Sequence, residues 1–279
     1  MKKIIILYHN ECSDGFGAAW AAWKKFGSKA EYMGLKHQTP PPLKKLRGKI
    51  LYFVDITYIG KDLDNVIKVA EDVTILDHHI SAKDEIKKAP HSIYALDQSG
   101  AGLAWRFFHS DKKDPYLIRC VETRDLWVWK VPHAKEILAA MDVLSFDFKK
   151  WDHAAKDLEN IQIRKKYIEK GLAILAYEEK IATDLFTKTQ PAIFEGHRVG
   201  VVNSPVLHSE IGHLIYEHGY DAAIIWSHQD GQIRVSMRSN GKVDVSKLAQ
   251  KYGGGGHKAA AGFRLDPNRN LPWRYDTLR

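Results

Sequence analysis

Val73-Thr74-Ile75-Leu76-Asp77-His78-His79 runs from apolar and β-branched residues straight into one carboxylate and two imidazoles. A short run of this kind predicts a buried strand of an α/β sheet, and ligands gather beyond the ends of such strands. Side chains alternate in an extended segment, so Asp77 and His79 share a side while the strand lasts. At its frayed end both histidines can turn into one crevice. A histidine pair that only caps a strand fits these seven residues equally well, so the neighbouring segments decide.

Upstream, Ile50-Leu-Tyr-Phe-Val54 is a second apolar run, and it ends in Asp55. Ile4 to Tyr8 is a third, and His9 follows it. Asp14 then lies in the turn before an Ala-rich helix that begins near Ala18, where a helix N-cap is its ordinary reading. Trp20 and Trp23, one turn apart on that helix, read as core rather than as a base-stacking platform. A helical segment over about 61–71 separates the strand ending at Asp55 from the one ending at Asp77. This strand-helix-strand rhythm predicts a parallel sheet with His9, Asp14, Asp55 and Asp77 at one edge. Ser99-Gly100-Ala-Gly102 opens a further helix, whose amides could face an anion or whose small residues could pack on the sheet. A helical stretch from Tyr116 to Glu122 delivers Asp125, a loop cap or a fifth member of the group.

The chain has 279 residues, enough for one large domain or two ordinary ones. Lysine plus arginine number 42 against 34 acidic residues, a formal net charge of +8 that favours nucleotides or phosphates over neutral substrates. The basic residues are scattered rather than gathered into a long aromatic-interleaved groove. No apolar run approaches the length of a membrane span, and Ile4–Leu7 is too short for a signal-peptide core. A cytoplasmic protein without membrane partners is expected. The two cysteines, Cys12 and Cys120, form no disulfide framework, which agrees.

From Trp151 to about Lys188 the pattern is long, helical and charged, and reads as a connector with a solvated face. Pro191 then opens a different composition, with strands expected at 199–202, 222–226 and 232–237 and a helix near 209–217. The division expected is therefore a parallel-sheet domain at 1–150, a helical connector at 151–189 and a smaller α/β domain at 190–279. In the last, Arg238-Ser239 precedes Gly253-Gly254-Gly255-Gly256-His257-Lys258. Consecutive glycines let backbone amides approach a ligand, and the histidine and lysine add donors. An anion-binding loop is favoured over a flexible linker, because the flanking polar low-complexity sequence of a linker is missing.

Together these stretches resemble the DHH phosphoesterase superfamily. Asp77-His78-His79 resembles the motif that names the family, and the segment from Val235 through Gly256-His257 resembles its DHH-associated C-terminal domain. The two-domain size is similar to that of nano-RNases and nucleotide 3′-phosphatases. The resemblance implies that His9, Asp14, Asp55, His78 and Asp125 bind metal, with two Mn²⁺ ions bridged by Asp55. It implies that His79 faces the scissile phosphate beside Asp55, and that Arg238 and His257 contact substrate phosphate with the help of Ser239, Gly254, Gly255 and Gly256. Carboxylates and imidazoles suit divalent Mn better than a thiolate-rich zinc site does. One departure stands in the first motif, where Cys12 replaces a usual aspartate; Glu11 carries a carboxylate but is one register off. The first ion is then bound differently or more weakly.

The activity implied is hydrolysis of short RNA or DNA oligonucleotides or a related small phosphoester by two-metal activation of water. The alternatives are a phosphatase for a 3′-phosphonucleotide, cyclic dinucleotide or polyphosphate, and a nucleotide-binding regulator that has lost one metal. The pattern is also compatible with a homodimer.

Overall fold

The computed structural model describes residues 2–10, 12–36 and 39–276. The chain divides into two compact units, residues 1–174 and 175–279. The first contains β1 (Ile4–His9), α1 (Ser13–Phe26), β2 (Ala30–Leu35), α2 (Leu43–Leu46), β3 (Ile50–Val54) and α3 (Lys61–Val69). It continues through β4 (Asp72–Asp77), β5 (His91–Tyr94), α4 (Gly100–Phe108), α5 (Tyr116–Asp125), α6 (Ala134–Asp142) and α7 (Phe148–Glu159). The long α8 (Ile161–Phe186) carries the chain across the division.

The five strands pair in parallel in the order β2-β1-β3-β4-β5. After β1 the chain adds β2 on one side, then returns to place β3 on the other. Such a reversal opens a crevice beyond the carboxyl ends of the two central strands. His9 and Asp55 stand at those two ends.

Side-chain alternation builds a core on each face. Ile5, Leu7, Phe53 and Ile75 pack with Leu46, Leu63 and Val66 beneath α2 and α3. Ile6, Val54 and Leu76 face the other way, onto Phe16, Trp20, Ala101, Leu117 and Trp151. A sheet buried on both faces explains why its strands read as continuous apolar runs. Trp20 is core, stacked on Trp105 with ring centroids 5.3 Å apart, and Trp23 stacks on Phe148 at 5.7 Å.

The segment 151–189, read as one connector, is two helices that break at Asn160. Trp151, Ala154, Ala155 and Leu158 line one stripe of α7, and all are buried in the first unit's core. Truncating a buried tryptophan costs about 3–5 kcal/mol, so α7 is structural to that unit. The compact units meet within α8, later than the expected boundary at 150.

The second unit contains β6 (Gln190–Phe194), β7 (His197–Asn203), α9 (His208–Glu217), β8 (Ala222–Gln229) and β9 (Gln232–Arg238). It ends with α10 (Val245–Gln250), β10 (Gly255–His257), β11 (Ala260–Leu265) and β12 (Arg274–Tyr275). The strand order is β10-β11-β9-β8-β7-β6-β12, parallel at β7–β8 and antiparallel elsewhere. Val199, Val201, Ile224 and Met237 pack with α10 on one face, and Val202, Ala223 and Ile225 with α9 on the other.

Candidate metal centre

Elements of the first unit that lie far apart in sequence deliver the polar cluster. His9 closes β1, Asp55 follows β3, Asp77 closes β4 with His78 and His79 after it, and Asp125 is the last residue of α5. Cys12 is the N-cap residue of α1 without a side-chain cap, and Asp14 lies in that helix's first turn. Asp55 holds φ +61°, a left-handed conformation that few side chains adopt and aspartate tolerates. Two glycines permit the approach of helices. A Cβ on Gly15 would lie 2.2 Å from the His9 carbonyl oxygen, and one on Gly100 would lie 2.4 Å from the Asp55 Cβ.

The donor atoms gather in three overlapping groups: His9, Cys12 and Asp55; Asp55, His78 and His79; Asp14, His78 and Asp125. Within each, one ligand atom per residue lies within 4.8 Å of the others. Asp55 and His78 each belong to two groups. His78 Nε2 stands 3.2 Å from Asp55 Oδ1 and 3.8 Å from Asp14 Oδ2, while its Nδ1 is 3.6 Å from Asp125 Oδ2. His9 Nδ1 is 3.5 Å from Asp55 Oδ2. Glu11, the alternative carboxylate of the first motif, lies outside the described residues.

Asp14 is no N-cap. Its carboxylate accepts N–H bonds from Gly100 at 2.7 Å and Ala101 at 2.9 Å, so the anion at the start of α4 is the protein's own. Both readings of Ser99–Gly102 therefore hold together: an anion sits on the amides, and the small residues permit the packing. Asp77 serves His79. One of its oxygens accepts from the His79 backbone N–H at 2.9 Å and lies 2.8 Å from the ring's Nδ1. A carboxylate partner places the proton on Nδ1 and leaves Nε2 as the exchanging nitrogen.

Electrostatics favour a cation here. Burial would raise Asp55, but the imidazoles of His78 and His9 beside it, 3.2 and 3.5 Å from its oxygens, outweigh burial and hold the carboxyl far below its ordinary range. Burial pushes Asp14 well up, and the charges of Asp55 and Asp125 push the same way. Asp125 is raised by burial and by Asp55, against the pull of His78. The Cys12 thiol is pushed up to about 12 by burial, then by Asp55 and Asp14. Two buried carboxylates, Asp14 and Asp55, that repel each other beside the more exposed Asp125 are the ordinary signature of a site completed by a positive ion. Both Asp55 oxygens are buried with no aligned hydrogen-bond donor among the described residues. Imidazole, carboxylate and one thiol form a donor set that suits a first-row divalent ion.

The expected phosphate contacts belong to the second unit. Arg238, Ala260 and His257 occupy one row across β9, β11 and β10, so Arg238 and His257 share a sheet face. The Arg238 Nε donates to Ser209 Oγ at 3.3 Å, and its aliphatic stem lies over Gly212 of α9. The Ser239 hydroxyl is committed to a turn, donating to the Val243 carbonyl at 2.7 Å and accepting from Gly241 N–H at 3.2 Å. The glycine run is likewise divided rather than one open loop. Gly253 and Gly254 donate to Gln250 and Ala249 and finish α10, whereas Gly255 and Gly256 begin the exposed edge strand β10. Four glycines suit both tasks: Gly253 needs φ +75°, and a Cβ on Gly254 would meet the Gly262 carbonyl oxygen at 2.1 Å.

A latch that the sequence did not advertise joins α4 to α5. Glu122 accepts from Arg106 Nη1 at 3.0 Å and Nη2 at 2.8 Å, and from Ser99 N–H at 3.2 Å. Charges spaced as i and i+16 on different helices give no local signal.

Histidines and aspartates converging on the switch point of a parallel sheet, followed by a separate mixed-sheet unit, define a two-part α/β chain with a candidate metal centre in its first part. A family model described as the DHHA1 domain matches residues 200–272. The uncharacterized protein R106 of Acanthamoeba polyphaga mimivirus is 31% identical over 284 residues, covering 93% of this chain and 66% of that protein. Oligoribonuclease NrnB of Bacillus subtilis (strain 168) is 24% identical, covering 94% of this chain and 77% of its own length. The chain thus spans just under two thirds of the first of these relatives. RecJ of Thermus thermophilus, solved in complex with Mn²⁺, shares the fold with a TM-score of 0.55 at 15% identity, over 95% of this chain and 50% of that one. The DHHA1 match in the second unit, the similarity to oligoribonuclease NrnB and the fold shared with RecJ support the resemblance of this chain to the DHH phosphoesterase superfamily. Among the described residues, no helix is long and apolar enough to cross a membrane.

Proposed function

We propose that this chain is a metal-dependent hydrolase of phosphodiester bonds in short oligonucleotides. The observation that carries the reading is the overlap of three donor groups through Asp55 and His78. His9, Cys12, Asp14, Asp55, His78 and Asp125 would hold two divalent ions, and Mn²⁺ matches their chemistry. When bound, such a pair supplies Lewis-acid charge and makes water acidic enough to attack phosphorus near neutral pH.

The protein's own groups do the rest. Asp77 orients His79 through Nδ1, so Nε2 is placed to give a proton to the departing oxygen. Burial works against a charged His79, yet the Asp77 hydrogen bond and the charge of Asp55 raise its pKa. That keeps the ring protonated further into the neutral range, as an acid requires. Arg238 and His257 would bind phosphate by charge-assisted hydrogen bonds and orient the substrate. The oligonucleotide activity named for the Bacillus relative supports the substrate class.

The test is turnover of dinucleotides, longer oligomers, a 3′-phosphonucleotide and a cyclic dinucleotide, each with Mn²⁺ and with EDTA. Metal-dependent cleavage of the dinucleotide is expected, and Asp55→Asn should abolish it while lowering Mn²⁺ stoichiometry by calorimetry. Cleavage of the 3′-phosphonucleotide alone would replace the diesterase reading with a phosphatase. Binding without cleavage of any substrate would favour the regulator that Cys12 suggests.

A further inference from the structure

Trp127 follows Asp125 by two residues, at the point where α5 ends. Its φ is +55°, and Trp129, two residues on, has φ +45°. The turn is held by Thr123, whose carbonyl accepts the N–H groups of Val128 and Trp129 and whose hydroxyl accepts that of Lys130. A left-handed residue just beyond a helix is the ordinary place for glycine, because a Cβ there is disfavoured. Trp129 recovers the cost by packing: its ring rests against the first unit's core, with Lys135 Nζ 5.0 Å from its centroid. Trp127 does not. It remains 56% exposed and makes its ring contact with Trp129 edge-on at 5.2 Å.

A large exposed ring in a disfavoured backbone conformation contributes little to the fold, and such strain collects at sites of function. The turn fixes it rigidly to the helix that ends in Asp125, a member of the donor cluster. We propose that Trp127 is the platform on which a nucleobase of the substrate stacks, which makes the ligand a nucleotide rather than a base-free phosphate such as polyphosphate. The inference rests on the site proposed above and names its substrate class. Aromatic stacking accepts any base, so it gives affinity without sequence preference. The net charge of +8 agrees with a polyanionic ligand.

The backbone geometry supplies an unusual test. Trp127→Gly relieves the disfavoured conformation, so its thermal midpoint should equal or exceed that of the wild type, while its affinity for the dinucleotide pApA should fall roughly 5- to 150-fold. Trp127→Phe keeps a ring and should retain affinity within a few-fold. Inorganic phosphate, which has no base, should bind equally to wild type and Trp127→Gly. Titrations by calorimetry with EDTA and with Mn²⁺ read binding apart from turnover. Equal pApA affinity in wild type and Trp127→Gly overturns the proposal, as does a wild type that does not bind pApA. If pApA binds through Trp127 and no phosphoester is cleaved, the hydrolase reading fails and this one stands. If cleavage proceeds with the same KM in Trp127→Gly, the reverse holds.

Discussion

At the scale of single residues, the site's charges set how the metal-free protein responds to pH. Burial, the largest influence on His78, favours the neutral ring, but the carboxylates of Asp55, Asp125 and Asp14 override it and raise the pKa from 6.5 to about 9. The folded state therefore holds this proton more tightly than the unfolded chain. Its stabilising contribution is complete below about pH 6.5 and is lost as pH climbs toward 9. In EDTA the thermal midpoint should fall across that window, and His78→Ala should flatten the slope. Bound ions require the neutral imidazole, so the rise in midpoint on adding Mn²⁺ should grow over the same range. A flat profile in EDTA would refute the assignment of His78 to this carboxylate cluster. Cys12 gives a second residue-level prediction. Its thiol, pushed to about 12, must lose a proton before it can bind an ion as thiolate, whereas an aspartate at the same position would be ionised already. Cys12→Asp should tighten Mn²⁺ binding and raise activity at limiting metal, and Cys12→Ser should change little. Collapse of activity in Cys12→Ser, with loss of a bound Zn²⁺ or Fe²⁺, would make the thiolate a working ligand.

At the scale of elements, the site depends on how α4 is seated between α1 and α5. The first amides of α4 grip Asp14, Gly100 abuts Asp55, and Glu122 ties the preceding Ser99 to α5 one turn before Asp125. Glu122→Ala would leave Arg106 and the Ser99 N–H without this acceptor. A loss of about 1.5–3 kcal/mol in stability is expected, because the pair is charged but only partly shielded from water. Mn²⁺ affinity should fall with it, since Asp14 and Asp125 are both seated through these helices. Urea unfolding and metal titration of the same variant decide: weaker stability with unchanged Mn²⁺ affinity would reduce the latch to a structural role. This dependence also shows where the sequence was readable. The strands ending at His9, Asp55 and Asp77 announced themselves because a sheet covered on both faces needs unbroken apolar runs. β2, with its half-buried and exposed positions, carried no such signal, and neither did the three-residue β10. Asp14 was legible as a helix-start residue, but its true partners are 86 and 87 positions away, and no local pattern encodes them. The glycine run was legible as special backbone; its division between a helix end and an edge strand follows from hydrogen bonds made elsewhere in the sheet.

At the scale of the molecule, each unit has its own hydrophobic cores, and the residues proposed for metal and for phosphate are divided in the same way. The donor groups all lie within residues 9–125, while Arg238 and His257 stand on a sheet assembled wholly within 190–275. Metal binding and phosphate recognition should therefore be separable by mutation. The Arg238 guanidinium is largely desolvated, which lowers its pKa, yet an arginine remains charged under any ordinary condition. A desolvated cation that touches Ser209 and the Met237 carbonyl forms strong bonds to an anion, because little water remains to be displaced. Removing one such charge-assisted partner costs about 1.5–3 kcal/mol, or roughly 10- to 150-fold in binding. Arg238→Ala should raise the apparent substrate constant by that factor while Mn²⁺ stoichiometry and affinity stay at wild-type values. His257→Ala, exposed on the edge strand, should act in the same direction and more weakly. Steady-state kinetics beside calorimetric Mn²⁺ titration separate the cases: a variant that loses metal, or one whose substrate constant does not move, would remove the second unit from substrate recognition.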